Sequence, residues 1–155
     1  MQGSYAAIDG TTNIMVHGYD NGTYKTFKIS GTTATLLTLP ASGSFNNVFF
    51  LNNTFYCSNF QAIYSSTDLG TTWSTIGFSG NFVFPIKNAT YSGIAVAGYG
   101  SLYISQDGGG SWNNTTMPNT NSYITDVATD ASGNYYATAY SSSVLKFTGA
   151  LLVDP

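Results

Sequence analysis

Two eleven-residue stretches of this chain align without a gap, and they constrain its fold more than any other feature. Ile63-Tyr-Ser-Ser-Thr-Asp-Leu-Gly-Thr-Thr-Trp73 and Leu102-Tyr-Ile-Ser-Gln-Asp-Gly-Gly-Gly-Ser-Trp112 share the pattern Ser-x-Asp-x-Gly-x-x-Trp. It falls on Ser66, Asp68, Gly70 and Trp73, and again on Ser105, Asp107, Gly109 and Trp112, and the two tryptophans lie 39 residues apart. A period near 40 with several short β runs inside it is the signature of small repeated sheets. Each such sheet is too small to bury its own apolar face and must stack on its neighbours.

The flanking residues extend the repeat. Val48–Leu51 and Thr54–Cys57 precede the first pattern, and Phe82–Phe84 and Gly93–Ala97 precede the second. Turn-forming Asn and Gly residues, such as Asn52-Asn53, part the runs. The chain ends carry weaker copies. One runs from Ser4–Ile8 and Asn13–His17 to Phe27–Gly31 and Ala34–Leu39; the other from Ile124–Ala128 and Asn134–Thr138 to Leu145–Gly149 and Ala150–Val153. β-Branched and aromatic residues dominate, and frequent glycines disfavour helix. The expectation is an all-β chain: a single β-propeller domain over 1–155, with repeat units of about 1–41, 42–79, 80–118 and 119–155. These give about four four-stranded antiparallel blades, closed as a small ring or left as a partial arc.

The two Ser-x-Asp-x-Gly-x-x-Trp segments resemble the Asp-box, or bacterial neuraminidase repeat. The resemblance implies a hairpin turn between the third and fourth strands of a blade, away from any active site. Its residue types have physical reasons. A short Asp side chain accepts hydrogen bonds from its own turn, Gly takes the positive-φ position, and Trp supplies an apolar face that pins the hairpin. Asp68 and Asp107 are therefore expected to be structural.

Sialidases with this repeat hold a substrate carboxylate with arginines and use a tyrosine activated by glutamate. This chain has neither Arg nor Glu. Two-carboxylate glycoside hydrolysis could use Asp alone, but the remaining acids, Asp9, Asp20, Asp126, Asp130 and Asp154, form no evident pair. Asp9 and Asp130 occupy matching turns and read as turn caps. Asp126 lies inside a strand-like run and is the least readily explained. We expect no enzymatic activity.

Charged residues make up only 7% of the chain, with four lysines and a net charge of -3. Phosphate binding rests on clustered Lys and Arg, so nucleic acid is not an expected partner. The lone Cys57 rules out an internal disulfide and reads as a small core residue. His17 has no second His or Cys to join it, so neither a metal nor a cofactor is expected. No basic-then-apolar leader opens the chain, so no secretory signal is expected, and no apolar run is long enough to insert into a membrane.

One recurrence is not needed by the hairpins. Tyr19, Phe60, Tyr99 and Tyr140 fall at matching positions, 41, 39 and 41 residues apart, at the turn between second and third strands. Polar neighbours such as Asn21 and Gln61 accompany them. Such rings either pack between blades or form a face on which sugars stack. The expected function is a non-enzymatic binding or structural module of a virion (phage tail or capsid decoration) or a cell surface, recognising glycans through this face. Other virion or surface proteins, or further copies of the chain, are its expected partners. The alternatives are a free-standing lectin-like propeller and a fragment of an Asp-box glycoside hydrolase.

Overall fold

The computed structural model describes residues 5–10, 12–40, 45, 47–59, 62–76, 82–87, 92–97, 101–116, 123–130, 134–140 and 144–147. All regular structure among them is β. Fifteen strands form four antiparallel sheets, each a simple meander in chain order. The first contains β1 (Tyr5–Ile8), β2 (Asn13–Asp20), β3 (Thr23–Ser30) and β4 (Thr33–Leu36). The second contains β5 (Asn47–Leu51), β6 (Thr54–Ser58), β7 (Ile63–Ser66) and β8 (Ser74–Ile76). The third contains β9 (Phe82–Lys87), β10 (Ser92–Ala97), β11 (Ser101–Ser105) and β12 (Asn113–Thr116). The fourth contains β13 (Ile124–Thr129), β14 (Tyr135–Ala139) and β15 (Val144–Phe147). The fourth strand expected over Ala150–Val153 lies outside the described residues.

Local chemistry sets the hairpins. Asn21-Gly22 and Asn52-Asn53 each join two strands through two residues of positive φ, at 47° and 84° and at 48° and 61°. That backbone twists with the strands it connects, and Asn and Gly are the residues that tolerate it. Asn21, expected as a ligand contact, stands at the first position of the β2–β3 turn.

The chain divides into two compact units, Met1–Gly77 and Phe78–Pro155, with two sheets in each. In the first unit β1 lies beside β5, and in the second β9 lies beside β13, so the leading strands of consecutive sheets are neighbours. The core of the first unit sits between its sheets. Ala7 and Met15 of the first sheet pack with Val48, Phe55, Cys57 and Tyr64 of the second. Burial pushes the Cys57 thiol well above its ordinary range, as befits a packed core residue. In the second unit Ile94, Ala95, Val96 and Ala97 are all buried, so β10 is covered on both faces.

Candidate functional site

The two Asp hairpins are built alike. After β7, the Ser66 hydroxyl donates to Asp68 Oδ1 at 2.8 Å and accepts the Gly70 N–H at 2.8 Å. The Thr72 N–H donates to Asp68 Oδ1 at 2.8 Å, and the Thr72 hydroxyl donates to Oδ2 at 2.6 Å. After β11, the Ser105 hydroxyl donates to Asp107 Oδ1 at 2.8 Å and accepts the Gly109 N–H at 2.7 Å. The Ser111 N–H and hydroxyl complete that ring at 2.9 and 2.7 Å.

Gly70 and Gly109 have φ of 84° and 105°, where a Cβ would be strained. The residues before them are also left-handed, Leu69 at 59° and Gly108 at 74°. Leu69 tolerates that cost because its side chain packs on the first unit's core. Trp73 packs on the same core. Its indole N–H finds no acceptor among the described residues, so the ring contributes apolar surface and no hydrogen bond. Trp112 is half-buried.

These bonds lower the carboxyl pKa values. The Thr72 hydroxyl and N–H, with Ser66, hold Asp68 at about 2. The Ser111 N–H and hydroxyl, then Ser105, hold Asp107 further below the ordinary range. A carboxyl group whose folded pKa is depressed stabilises the fold above its unfolded pKa, near 4, and ceases to do so as pH falls through its folded value. Thermal unfolding followed by circular dichroism should therefore show a loss of stability between about pH 4 and pH 2. Asp68→Asn, Asp107→Asn should start less stable and lose less over that window; an unchanged slope would count against this network.

The other acids are also engaged locally. Asp9 accepts the Asn13 N–H and side-chain amide at 3.2 and 2.7 Å. Asp130 does the same with Asn134 at 2.9 and 2.7 Å. Asp126 accepts the Val127 N–H at 2.8 Å beside an irregularity in the β13–β14 register, which explains an acid within a strand. Asp20 pairs with Lys25 at 2.6 Å across the β2–β3 hairpin. Asp154 lies outside the described residues.

Two of the four recurring aromatics are described, and both are exposed: Tyr19 at 45% and Tyr140 at 79%. Phe60, Gln61 and Tyr99 lie outside the described residues. Tyr19 ends a continuous column of rings in the first unit. It meets Tyr24 edge-on at 5.0 Å, Tyr24 stacks on His17 at 5.5 Å, His17 meets Phe45 at 5.3 Å, and Phe45 meets Tyr64 at 5.9 Å. The outer ring is thus supported from the core, with the Asp20–Lys25 pair beside it. In the second unit the Tyr140 N–H donates to the Tyr123 carbonyl at 3.0 Å, and both side chains are exposed. Tyr24 and Tyr123 escaped the sequence reading because each is a cross-strand partner. Tyr24 faces Tyr19 in the β2–β3 register, information held by the hairpin turn and not by the repeat.

A rigid exposed ring flanked by hydrogen-bonding groups can stack on an apolar sugar face while its neighbours bond the hydroxyls.

The sequence profile of the DUF6242 beta propeller domain matches residues 2–140. No curated protein matches the chain. Among solved structures it is similar to the extracellular domain of a protein assigned as a hybrid two-component system of B. thetaiotaomicron. That match has a TM-score of 0.68 and 14% identity, and covers 94% of this chain and 20% of the other. It is also similar to YCF48 from Cyanidioschyzon merolae, with a TM-score of 0.59 and 18% identity, over 92% of this chain and 51% of that one. At such identities the likeness is one of fold. The chain spans about a fifth and about half of those two structures.

Proposed function

Because the chain belongs to the DUF6242 beta propeller domain family, we propose that it is a non-catalytic binding module working at a cell or virion surface, and that it engages glycans through Tyr19 and Tyr140. The observation that carries this reading is the Tyr19 ring, exposed yet held from below by Tyr24 and His17. Tyr140 at the matching position of the fourth sheet is more exposed still. The commitment of the described carboxylates to their own turns and hairpins supports a non-catalytic role. The hydroxyl- and amide-rich, charge-poor composition suits such a surface, and the extracellular assignment of one structural neighbour is in keeping with it. The two Asp hairpins, with matching networks at blade spacing, are on this reading Asp-boxes that brace the blades.

The test is titration of a panel of neutral and acidic polysaccharides by calorimetry, with wild type and a Tyr19→Ala, Tyr140→Ala variant. Two lost stacking contacts should weaken binding at least about tenfold. Because both rings are exposed, the unfolding temperature should barely move. No binding by wild type, or equal binding by the variant, would reject the reading.

A further inference from the structure

Tyr19 and Tyr24 face each other across the β2–β3 hairpin, one pair in from its turn. The two-residue turn of Asn21 and Gly22 makes Asp20 and Thr23 a hydrogen-bonded pair. The next pair, Tyr19 and Tyr24, is therefore of the non-hydrogen-bonded kind, in which opposite side chains stand closest. Their ring centroids are 5.0 Å apart, with the planes at 65°.

The two rings differ in freedom. Tyr24 is half-buried and lies flat on His17, at 5.5 Å and 7°. His17 is in turn fixed by the Thr26 hydroxyl at 2.8 Å and the Phe45 N–H at 3.2 Å. Tyr24 thus keeps its place. Tyr19 is 45% exposed, open to a dissolved reagent and with room to turn its edge towards its partner. A reaction between the two phenols is intramolecular here, and proximity of this kind removes much of the barrier that a bimolecular coupling meets.

The geometry points to Tyr19 and Tyr24 as a site of oxidative cross-linking, at which a one-electron oxidant joins the two rings as dityrosine. Each phenol gives one electron to the oxidant and one proton to water, leaving a phenoxyl radical. Unpaired spin is shared between the oxygen and the ring carbons ortho and para to it, and the para carbon is already bonded to Cβ. The two radicals therefore pair through an ortho carbon of each ring, forming one carbon–carbon bond. The hydrogens on those carbons leave as protons while each oxygen takes one up, and both rings become aromatic again. The net change is the loss of two C–H bonds and the gain of one C–C bond, with two electrons passed to the oxidant and two protons to solvent. The product is a covalent clasp across β2 and β3 at the exposed end of the ring column. The inference does not depend on glycan binding.

Illumination of the full chain with tris(bipyridyl)ruthenium(II) and persulfate, which together supply a one-electron oxidant, tests it. At chain concentrations low enough to keep collisions rare, the monomer should acquire dityrosine fluorescence and lose the mass of two hydrogens. A protease that cleaves before aspartate cuts between Tyr19 and Asp20, leaving Tyr19 as the sole tyrosine of fragment 9–19 and placing Tyr24 in fragment 20–67. Those fragments should stay joined in the oxidised wild type. Tyr19→Phe and Tyr24→Phe keep an apolar ring at each position and should fold as wild type does, yet leave the fragments separate. In urea sufficient to unfold the chain the yield of joined fragments should fall severalfold, because the register no longer holds the rings together. A monomer without dityrosine, fragments that separate in oxidised wild type, fragments that stay joined in Tyr24→Phe, or an equal yield in urea would overturn the inference.

Discussion

Replacing Gly93 with alanine is expected to lower the unfolding temperature sharply, because among the described glycines it is the one where an added methyl group meets main chain most closely. Gly93 is buried in β10, one residue before the run Ile94–Ala97, in which every residue is buried. A Cβ built there would lie well inside 3.0 Å of the Ser105 carbonyl oxygen, with the Ser105 carbonyl carbon at 3.3 Å and Gln106 Cα at 3.4 Å. Those neighbours are main chain, so no side-chain rotation relieves the contact; the strands must separate. Ser105 also opens the second Asp hairpin, donating to Asp107 and accepting from Gly109, so displacing it disturbs that network too. Overpacking of this kind costs about 1–3 kcal/mol or somewhat more. At the upper end, for a chain of this size, the unfolding midpoint falls by roughly 10 °C. Gly93 does not adopt positive φ, so backbone strain is not the cause, and serine should be no better tolerated. Thermal unfolding by circular dichroism is the measurement. A midpoint within a degree or two of wild type would mean that β10 and the Ser105 carbonyl are not this close.

The sequence made the hairpins visible because their residues are specified by local chemistry. Ser66, Asp68 and Gly70 bond within five residues of one another, and so do Ser105, Asp107 and Gly109. Short-range constraints of that kind leave a fixed spacing, and the spacing gave the blade period and the four sheets. Asp9 and Asp130 were readable as turn caps for the same reason. Contacts between strands far apart in the chain leave no such trace. Nothing in the residues around Gly93 marks the approach of Ser105. Tyr123 is apparent as the partner of Tyr140 only once β13 and β14 are paired. Alternation within β2 and β3 separates Ile14, Val16, Phe27 and Ile29 from Met15, His17 and Thr26. It does not say which of the two faces finds a neighbour, because that depends on how sheets stack.

His17 is the sharpest instance, since its role depends on a residue 28 positions away. It is the only histidine, it is buried, and both of its ring nitrogens are engaged. The Phe45 N–H donates to Nε2 at 3.2 Å, which leaves the proton on Nδ1, from where it is donated to the Thr26 hydroxyl oxygen at 2.8 Å. The ring thereby ties β2 to the residues leading into β5. Truncation to alanine removes a packed ring from between Tyr24 and Phe45 and strands a buried N–H and hydroxyl. We expect a loss of about 2–4 kcal/mol from the cavity and the unsatisfied groups together. The effect should also carry a pH signature. Burial lowers the His17 pKa below its ordinary 6.5, because the charged ring is desolvated. Protonation would also turn Nε2 from an acceptor into a donor facing the Phe45 N–H. Above about pH 6.5 the ring is neutral in both folded and unfolded chains, and stability does not depend on it. Below that, the unfolded chain binds a proton that the folded chain refuses, so stability falls as pH falls towards the depressed folded value. Wild type should therefore lose stability between about pH 6.5 and pH 5, before the Asp hairpins begin to titrate. His17→Ala should be less stable at pH 7.5 and level across that interval. Unfolding midpoints measured over the interval decide it: a wild-type curve as flat as the variant's, or a variant as stable as wild type at pH 7.5, would show that this ring does not join the two sheets.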